Sequence, residues 1–137
     1  MKGVVVRNKH RHTRTVLLCL VATNAIPFLL WQSSKYKRFL ERNFLCSYPN
    51  VQRGRWWTLI LACWSHSDMG HIGNNMTALY TFGSTLQPLV GTPQFIVLYI
   101  VSGMVSNLAH LYSNWGRETA CLGASGAISA VYSDSEF

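Results

Sequence analysis

Two imidazoles and two side-chain amides lie close together in the stretch His66-Ser-Asp-Met-Gly-His71-Ile-Gly-Asn-Asn75. If this stretch opens a helix, His71 and Asn75 are four residues apart and share one face near the helix N-terminus. Both side chains donate hydrogen bonds at an end of partial positive charge, which suits an anion or a developing oxyanion. His66 is five residues earlier and is expected in the preceding loop. The spacing fits equally well a helix cap that binds lipid headgroups, whereas a zinc site is disfavoured because HxxxxH lacks the Glu of HExxH.

One small hydroxyl residue, Ser125, lies between small residues in the apolar run 121–130, Cys-Leu-Gly-Ala-Ser-Gly-Ala-Ile-Ser-Ala. Ser125 is either a nucleophile or part of a helix-packing surface. Packing is plausible because Gly126 and Ala130 are small residues four positions apart, as in closely packed membrane helices. The G-x-S-x-G elbow of soluble hydrolases is not matched, since Ala127 replaces the last Gly. The residues of this run alone leave both interpretations open.

A third polar group, Ser102, Ser106 and His110, follows at four-residue steps with Asn107 alongside. In lipid such a stripe is expected to face the interior of a helix bundle, where its members find partners. His110 is a further candidate for a catalytic base, although the pattern favours a structural or interfacial role.

Charge is distributed very unevenly among the 137 residues. Eleven of the twelve Lys and Arg lie at or before Arg55, and the range 56–133 contains only Asp68, Arg117 and Glu118 as charged residues. A segment of this length with so few charged residues is not typical of a protein whose surface faces water. Nucleic-acid binding is disfavoured because the basic residues flank an apolar segment instead of interleaving with aromatics.

Three uncharged apolar segments are expected to span a membrane: residues 15–31, 72–90 and 94–112. At 1.5 Å per residue each covers roughly 25 to 30 Å, close to the hydrocarbon thickness. A fourth segment begins near Leu122 and turns polar after about half a membrane thickness, so the chain reads as cut off inside a helix. If the segments alternate, the second and fourth begin on one face, and His71 and Ser125 can meet.

Three local features organise these segments. Pro27 is expected to kink or end the first helix, and Gly91-Thr-Pro93 to form a tight connection between the second and third. The aromatic range 56–64 is expected to be a loop lying partly in the membrane interface. We therefore predict an all-α, polytopic membrane helix bundle, with a basic N-terminal segment at 1–14 and a membrane domain at 15–137.

Neither the basic leader nor the cysteines settle a location. Basic residues on both sides of the first span leave orientation open, and the leader is either a mitochondrial import signal or a bare cationic flank. The four cysteines show no CxxC spacing and are most simply small hydrophobic residues, with no indication of disulfides or zinc.

Taken together, His66-x4-His71-x3-Asn75 before one membrane helix and Gly123-Ala-Ser125-Gly126 opening a later one resemble the rhomboid intramembrane serine proteases. Residues 57–131, including Met104-Val-Ser-Asn107, look most like the mitochondrial, presenilin-associated rhomboid-like branch. The resemblance implies an incomplete rhomboid-like fold of three full spans and the start of a fourth.

The resemblance also implies roles for the site residues. Ser125 would be the nucleophile that attacks a peptide carbonyl. His71 and Asn75, with the backbone N–H of Ser125 alone or together with that of Ala124, would form the oxyanion hole, and His66 would support the hydrogen-bond network. The family's base is a His on a later membrane helix that these 137 residues do not contain, so activity of this chain alone is not expected.

The implied function is cleavage of membrane-spanning protein substrates, with the lipid bilayer as surroundings, no cofactor and no nucleic acid. A non-catalytic protein that binds transmembrane helices is the alternative, and a headgroup- or ion-binding protein built on His66, Asp68 and His71 is a third hypothesis. The mitochondrial inner membrane is the compartment that the resemblance suggests.

Overall fold

The structure is a computed structural model that describes residues 2–117 and 119–128, with side chains described from His10 onward. Helices dominate it, as the all-α prediction requires, and two short strands are added. In chain order the elements are α1 Lys2–Trp31, α2 Ser34–Asn43, β1 Cys46–Ser47, α3 Tyr48–Gln52, α4 Thr58–Leu61, a 3-10 turn Ala62–Trp64, α5 Met69–Val90, α6 Thr92–Ser113 and β2 Ala120–Cys121. Residues 125–128 form one further helical turn.

Two helices within the described residues are long and apolar enough to cross a membrane, His10–Trp31 in α1 and Thr92–Ser113, which is α6. The second predicted span lies in a helix of 22 residues, α5. α5 does not meet the same criterion, so the prediction of three full spans stays a prediction. The fourth helix begins at Ser125 instead of near Leu122, and its predicted polar end at 133–136 lies outside the described residues.

The helix ends follow local chemistry. α1 runs from the basic segment into the first span without a break and continues four residues past Pro27. The tight connection between α5 and α6 is confirmed, because α5 ends at Val90, α6 begins at Thr92 and Gly91 alone joins them with φ of 89°. That positive φ is readily adopted by glycine.

The core lies where α1, α5 and α6 meet. Leu17, Leu79, Phe95 and Tyr99 are completely buried there. Gly83 permits the close approach, since a Cβ on it would lie 2.7 Å from Leu17 Cδ2 and 3.1 Å from Phe95 Cζ. Small residues at helix crossings let backbones approach in this way, and dispersion contacts then hold the helices together.

The prediction of an interfacial loop at 56–64 is wrong for most of that range. Residues 58–64 form α4 and the 3-10 turn, and Thr58, Leu59, Ala62 and Cys63 are buried, while the indole rings that precede them stay exposed. Burial is tolerated because backbone groups find partners: Asn107 Nδ2 donates to the Leu59 carbonyl at 2.8 Å. The segment is therefore part of the core.

The predicted inward-facing stripe on α6 is displaced around the helix. Ser106 is exposed, and Ser102 and His110 are only partly buried. The buried row consists of residues at four-residue steps that include two aromatic side chains and one closely packed glycine: Phe95, Tyr99, Gly103, Asn107 and Leu111. Two aromatic side chains bury more apolar area than a row of serines, so they determine which face turns inward.

The two strands pair antiparallel, with Cys46 opposite Cys121 and Ser47 opposite Ala120. This pairing holds the chain four residues before Ser125 against the segment that follows α2. The sheet therefore helps to position the last helical turn.

Candidate functional site

The N-terminus of α5 is fixed by Asp68. Its side-chain Oδ1 accepts a hydrogen bond from the His71 backbone N–H at 2.8 Å, which satisfies one of the unpaired donors of the first turn. α5 begins at Met69, so His71 and Asn75 both lie in its first two turns. His71 is partly exposed and Asn75 is buried.

His66 lies in the loop before α5 and is completely buried. Its Nε2 accepts hydrogen bonds from Asn75 Nδ2 at 3.0 Å and from the Ala124 backbone N–H at 3.3 Å. A backbone N–H can only donate, so Nε2 carries no proton and the neutral ring is protonated at Nδ1. This single ring joins the beginnings of two helices that are far apart in sequence.

The pKa of His66 is lowered from 6.5 to about 4. Burial is the largest cause, and the neighbouring His71, whose ring centroid is 5.0 Å away, adds to it. The imidazole is therefore neutral at pH 7, in agreement with its role as a double acceptor.

Gly123 brings the final segment against α5. Its backbone N–H donates to the Ala62 carbonyl at 2.8 Å, and its φ is 114°. A Cβ at this position would lie 2.5 Å from Cε1 and 2.6 Å from Nε2 of His71. The absence of a side chain at residue 123 thus lets the His71 ring lie directly on the backbone two residues before Ser125.

Ser125 is the first residue of the helical turn 125–128 and is exposed. The Ile128 N–H donates to the Ala124 carbonyl at 2.9 Å, which closes that turn. Gly126 packs so tightly on Ser106 that a Cβ has no room there. An exposed hydroxyl at the start of a helical turn is chemically suited to attack a substrate carbonyl.

The structure brings all four predicted site residues into one region: His66 contacts Asn75 and the N–H before Ser125, and His71 covers Gly123. The expectation for Ala124 is corrected, because its N–H is donated to His66 and does not face a substrate oxyanion. Asn75 retains a second amide hydrogen for that purpose.

His110, the further candidate for a base, lies near the end of α6. Its Nε2 is buried and has no hydrogen-bond partner within the described residues. Within that same part of the chain no group of three His, Cys, Asp or Glu side chains is arranged to hold a metal ion.

Three positioning features escape the sequence analysis. The Asp68 cap was available from the preference of Asp for the position before a helix. The steric need for Gly123 and the contact between its N–H and the Ala62 carbonyl depend on tertiary packing and have no sequence signature.

Comparison with known proteins matches residues 53–133 to the family model described as "Rhomboid domain". The chain is 36% identical over 135 residues to RHOMBOID-like protein 12, mitochondrial, of Arabidopsis thaliana, covering 86% of this chain and 40% of that protein. It is 32% identical over 127 residues to Rhomboid protein 1, mitochondrial, of Saccharomyces cerevisiae, covering 88% and 35%. For the mouse Presenilin-associated rhomboid-like protein, mitochondrial, the identity is 31% over 122 residues, covering 82% and 30%. The chain thus spans well under half the length of these relatives.

Proposed function

Since this chain belongs to the rhomboid family, we propose that it supplies the nucleophile and the oxyanion-binding groups of an intramembrane serine endopeptidase. Ser125 Oγ attacks the carbonyl carbon of a peptide bond in or beside a membrane span and gives its proton to a base. The tetrahedral intermediate collapses to an acyl-enzyme as the peptide nitrogen leaves with a proton, and water then hydrolyses the ester.

The observation that carries the proposal is the convergence at His66. One neutral, fully buried imidazole accepts from Asn75 and from the N–H directly before Ser125. It thereby fixes the distance between a side-chain donor and the candidate nucleophile. Donors held in place before the reaction stabilise a developing oxyanion by about 3 to 4 kcal/mol each.

The oxyanion-binding groups in this proposal are the second amide hydrogen of Asn75, the His71 ring and the backbone N–H of Ser125. The His71 ring lies beside Gly123, two residues before Ser125, and the helical turn 125–128 begins at Ser125. His66 is a positioning residue because it acts through Asn75 and the main chain.

The proposal requires a base that takes the Ser125 proton. His66 is unsuitable because its Nε2 already accepts two hydrogen bonds and its pKa is about 4. His110 has a buried Nε2 without a hydrogen-bond partner among the described residues. In this proposal the base is the His on a later membrane helix that the family resemblance implies, and we expect little activity from these 137 residues alone.

The substrates in this proposal are membrane-spanning proteins. Two helices of suitable length and composition among the described residues support a location in a membrane. The names of the relatives in plant, yeast and mouse all specify mitochondria, which supports a mitochondrial membrane, and the proposed compartment is the inner one. No cofactor enters the proposed chemistry.

A non-catalytic protein that binds transmembrane helices is the second candidate. It is favoured by one observation, the lack of a base among the imidazoles just considered. Under that alternative, Ser125→Ala leaves client binding unchanged, whereas the protease proposal requires the hydroxyl.

Labelling by a fluorophosphonate probe tests the proposal. The detergent-solubilised chain is compared with the same chain continued by any coding sequence downstream of residue 137, each as wild type, Ser125→Ala and His110→Ala. We expect weak or no labelling of the short chain and specific labelling of the continued one, abolished by Ser125→Ala and retained in His110→Ala. Labelling that survives Ser125→Ala contradicts the assignment of the nucleophile.

A further inference from the structure

Two cysteines that are 75 positions apart in sequence lie directly opposite each other in the small sheet. Cys46 of β1 pairs with Cys121 of β2 in an antiparallel register. Directly opposite residues in such a pair have Cα atoms about 4.5 to 5.5 Å apart. Cysteines joined by a disulfide have Cα atoms about 4.4 to 6.8 Å apart, so the backbone already has the separation that a bond needs.

The two side chains also face each other. Directly opposite residues of an antiparallel pair project their side chains to the same face of the sheet, so the two thiols are neighbours. This proximity raises the pKa of Cys46 and lowers the pKa of Cys121. Both thiols are free in the structure, so the pair lies side by side in the reduced form.

Burial gives the two thiols different roles. Cys46 is completely buried, whereas Cys121 is partly exposed. Only Cys121 is open to a reagent from outside, and a thiolate is the attacking form of a thiol. Cys121 therefore reacts first, and Cys46 is placed to resolve the product from the protected side.

A third cysteine, Cys63, lies in the same region without being paired across strands. Asn107 Nδ2 is 3.5 Å from Cys63 Sγ, while Asn107 Oδ1 accepts from Cys121 Sγ at 3.3 Å. Cys63 is thus separated from Cys121 by the Asn107 amide. No strand register holds its backbone opposite Cys121, which makes it the weaker competitor.

We propose that Cys46 and Cys121 form a redox-active dithiol that is converted reversibly to a disulfide by a low-molecular-weight disulfide such as glutathione disulfide. Cys121 thiolate attacks one sulfur of the oxidant, forms a mixed disulfide and releases one glutathione thiolate. The Cys46 sulfur then attacks the Cys121 sulfur of the mixed disulfide, the proton of Cys46 passes to the departing glutathione sulfur, and the second glutathione leaves as a thiol. The protein loses two hydrogens and two electrons, and one glutathione disulfide becomes two glutathione thiols.

The bond affects the candidate active site through the main chain. Cys121 is two residues before Gly123 and four before Ser125. Oxidation converts a pairing of two residues into a covalent link between β1 and this segment. It therefore holds the approach to Ser125 in the paired geometry, whatever reaction the site performs.

Tryptic mapping of the protein under non-reducing conditions tests this proposal. The chain, purified in mild detergent, is equilibrated with glutathione buffers of increasing oxidised fraction, quenched with N-ethylmaleimide, and digested. Trypsin places Cys46 in residues 43–53, Cys63 in 56–117 and Cys121 in 118–137, so each pairing gives a different cross-linked product. We expect a link between 43–53 and 118–137 that disappears on reduction.

Three variants sharpen the result. Cys46→Ser should leave glutathione stably attached to Cys121, because the resolving thiol is gone, and Cys63→Ser and the exposed-site control Cys19→Ser should retain the link. A dominant link from 118–137 to 56–117, or a glutathione adduct on Cys121 that persists in wild type, overturns the proposal. The wild-type mapping alone decides this even if a variant misfolds, and its outcome does not depend on protease activity.

Discussion

Adding one methyl group at Gly123 tests the geometry of the candidate site. The residue has φ of 114°, and an Ala Cβ there would lie 2.5 and 2.6 Å from two atoms of the His71 ring. The unfavourable backbone conformation costs about 1 to 2 kcal/mol. Overpacking against the ring adds about 1 to 3 kcal/mol, so we expect Gly123→Ala to lower the free energy of unfolding by about 2 to 5 kcal/mol.

Gly54→Ala is the matched control. Gly54 has φ of 77°, and nothing lies within 4 Å of the Cβ that would be added. Both substitutions reduce the freedom of the unfolded chain equally, so that effect cancels in the comparison. We expect Gly54→Ala to cost only the backbone contribution, about 1 to 2 kcal/mol.

A double-mutant cycle with His71 isolates the steric contribution. His71→Ala removes the ring that the new methyl group meets, so Gly123→Ala should cost about 1 to 3 kcal/mol less in that background. Unfolding in detergent micelles by added dodecyl sulfate, followed by far-UV circular dichroism, measures each free energy. The reasoning is refuted if Gly123→Ala is no worse than Gly54→Ala, or if the two substitutions are additive.

Three further predictions concern the surrounding structure. Burial lowers the pKa of His66 from 6.5 to about 4, so the stabilisation that the neutral ring gives the folded state is full above pH 6.5 and is lost as the pH falls toward 4. The free energy of unfolding should therefore drop by about 2 kcal/mol between pH 7 and pH 5. The drop should be smaller in His66→Gln, which keeps an acceptor but does not titrate. Asn107→Leu removes the amide donor to the Leu59 carbonyl, which keeps the longer 3.8 Å contact from the Cys63 thiol, and should lower the free energy of unfolding by about 1 to 3 kcal/mol. An unchanged melting temperature contradicts the hydrogen bond. Gly83→Ala should lower the free energy of unfolding by about 1 to 3 kcal/mol in dodecyl sulfate titrations, because the new methyl group meets Leu17 and Phe95. Gly73→Ala lies on the same helix with open space around the new methyl group, so it should raise the free energy of unfolding by about 0.5 to 1 kcal/mol.

The sequence predicted those features that depend on local chemistry. The helical placement of His71 and Asn75 follows from four-residue spacing, and the short connection at Gly91 follows from the conformational freedom of a glycine two residues before a proline. The family resemblance rested on two motifs read together, because neither one distinguishes a catalytic site from close helix packing.

The remaining features depend on contacts between distant segments. The hydrogen bond from the Ala124 N–H to His66 links residues that are 58 positions apart in sequence. The pairing of Cys46 with Cys121 joins two strands that are too short to be recognised from sequence. The prediction placed the wrong face of α6 toward the core. The regular spacing of polar residues shows that they share a face, but it does not show which face of the helix buries more apolar area.

Cleavage of a membrane-spanning reporter tests whether Ser125 is the nucleophile of an intramembrane endopeptidase. The reporter has one span containing helix-destabilising glycines and is co-reconstituted with the chain, continued by any sequence downstream of residue 137, in liposomes. We expect a cut in or beside the span, and we expect Ser125→Ala to abolish it. The control Ser84→Ala changes an exposed serine on α5 and should leave cleavage unchanged. Cleavage that persists in Ser125→Ala, or a reporter that binds equally to both proteins and is cut by neither, would contradict this assignment.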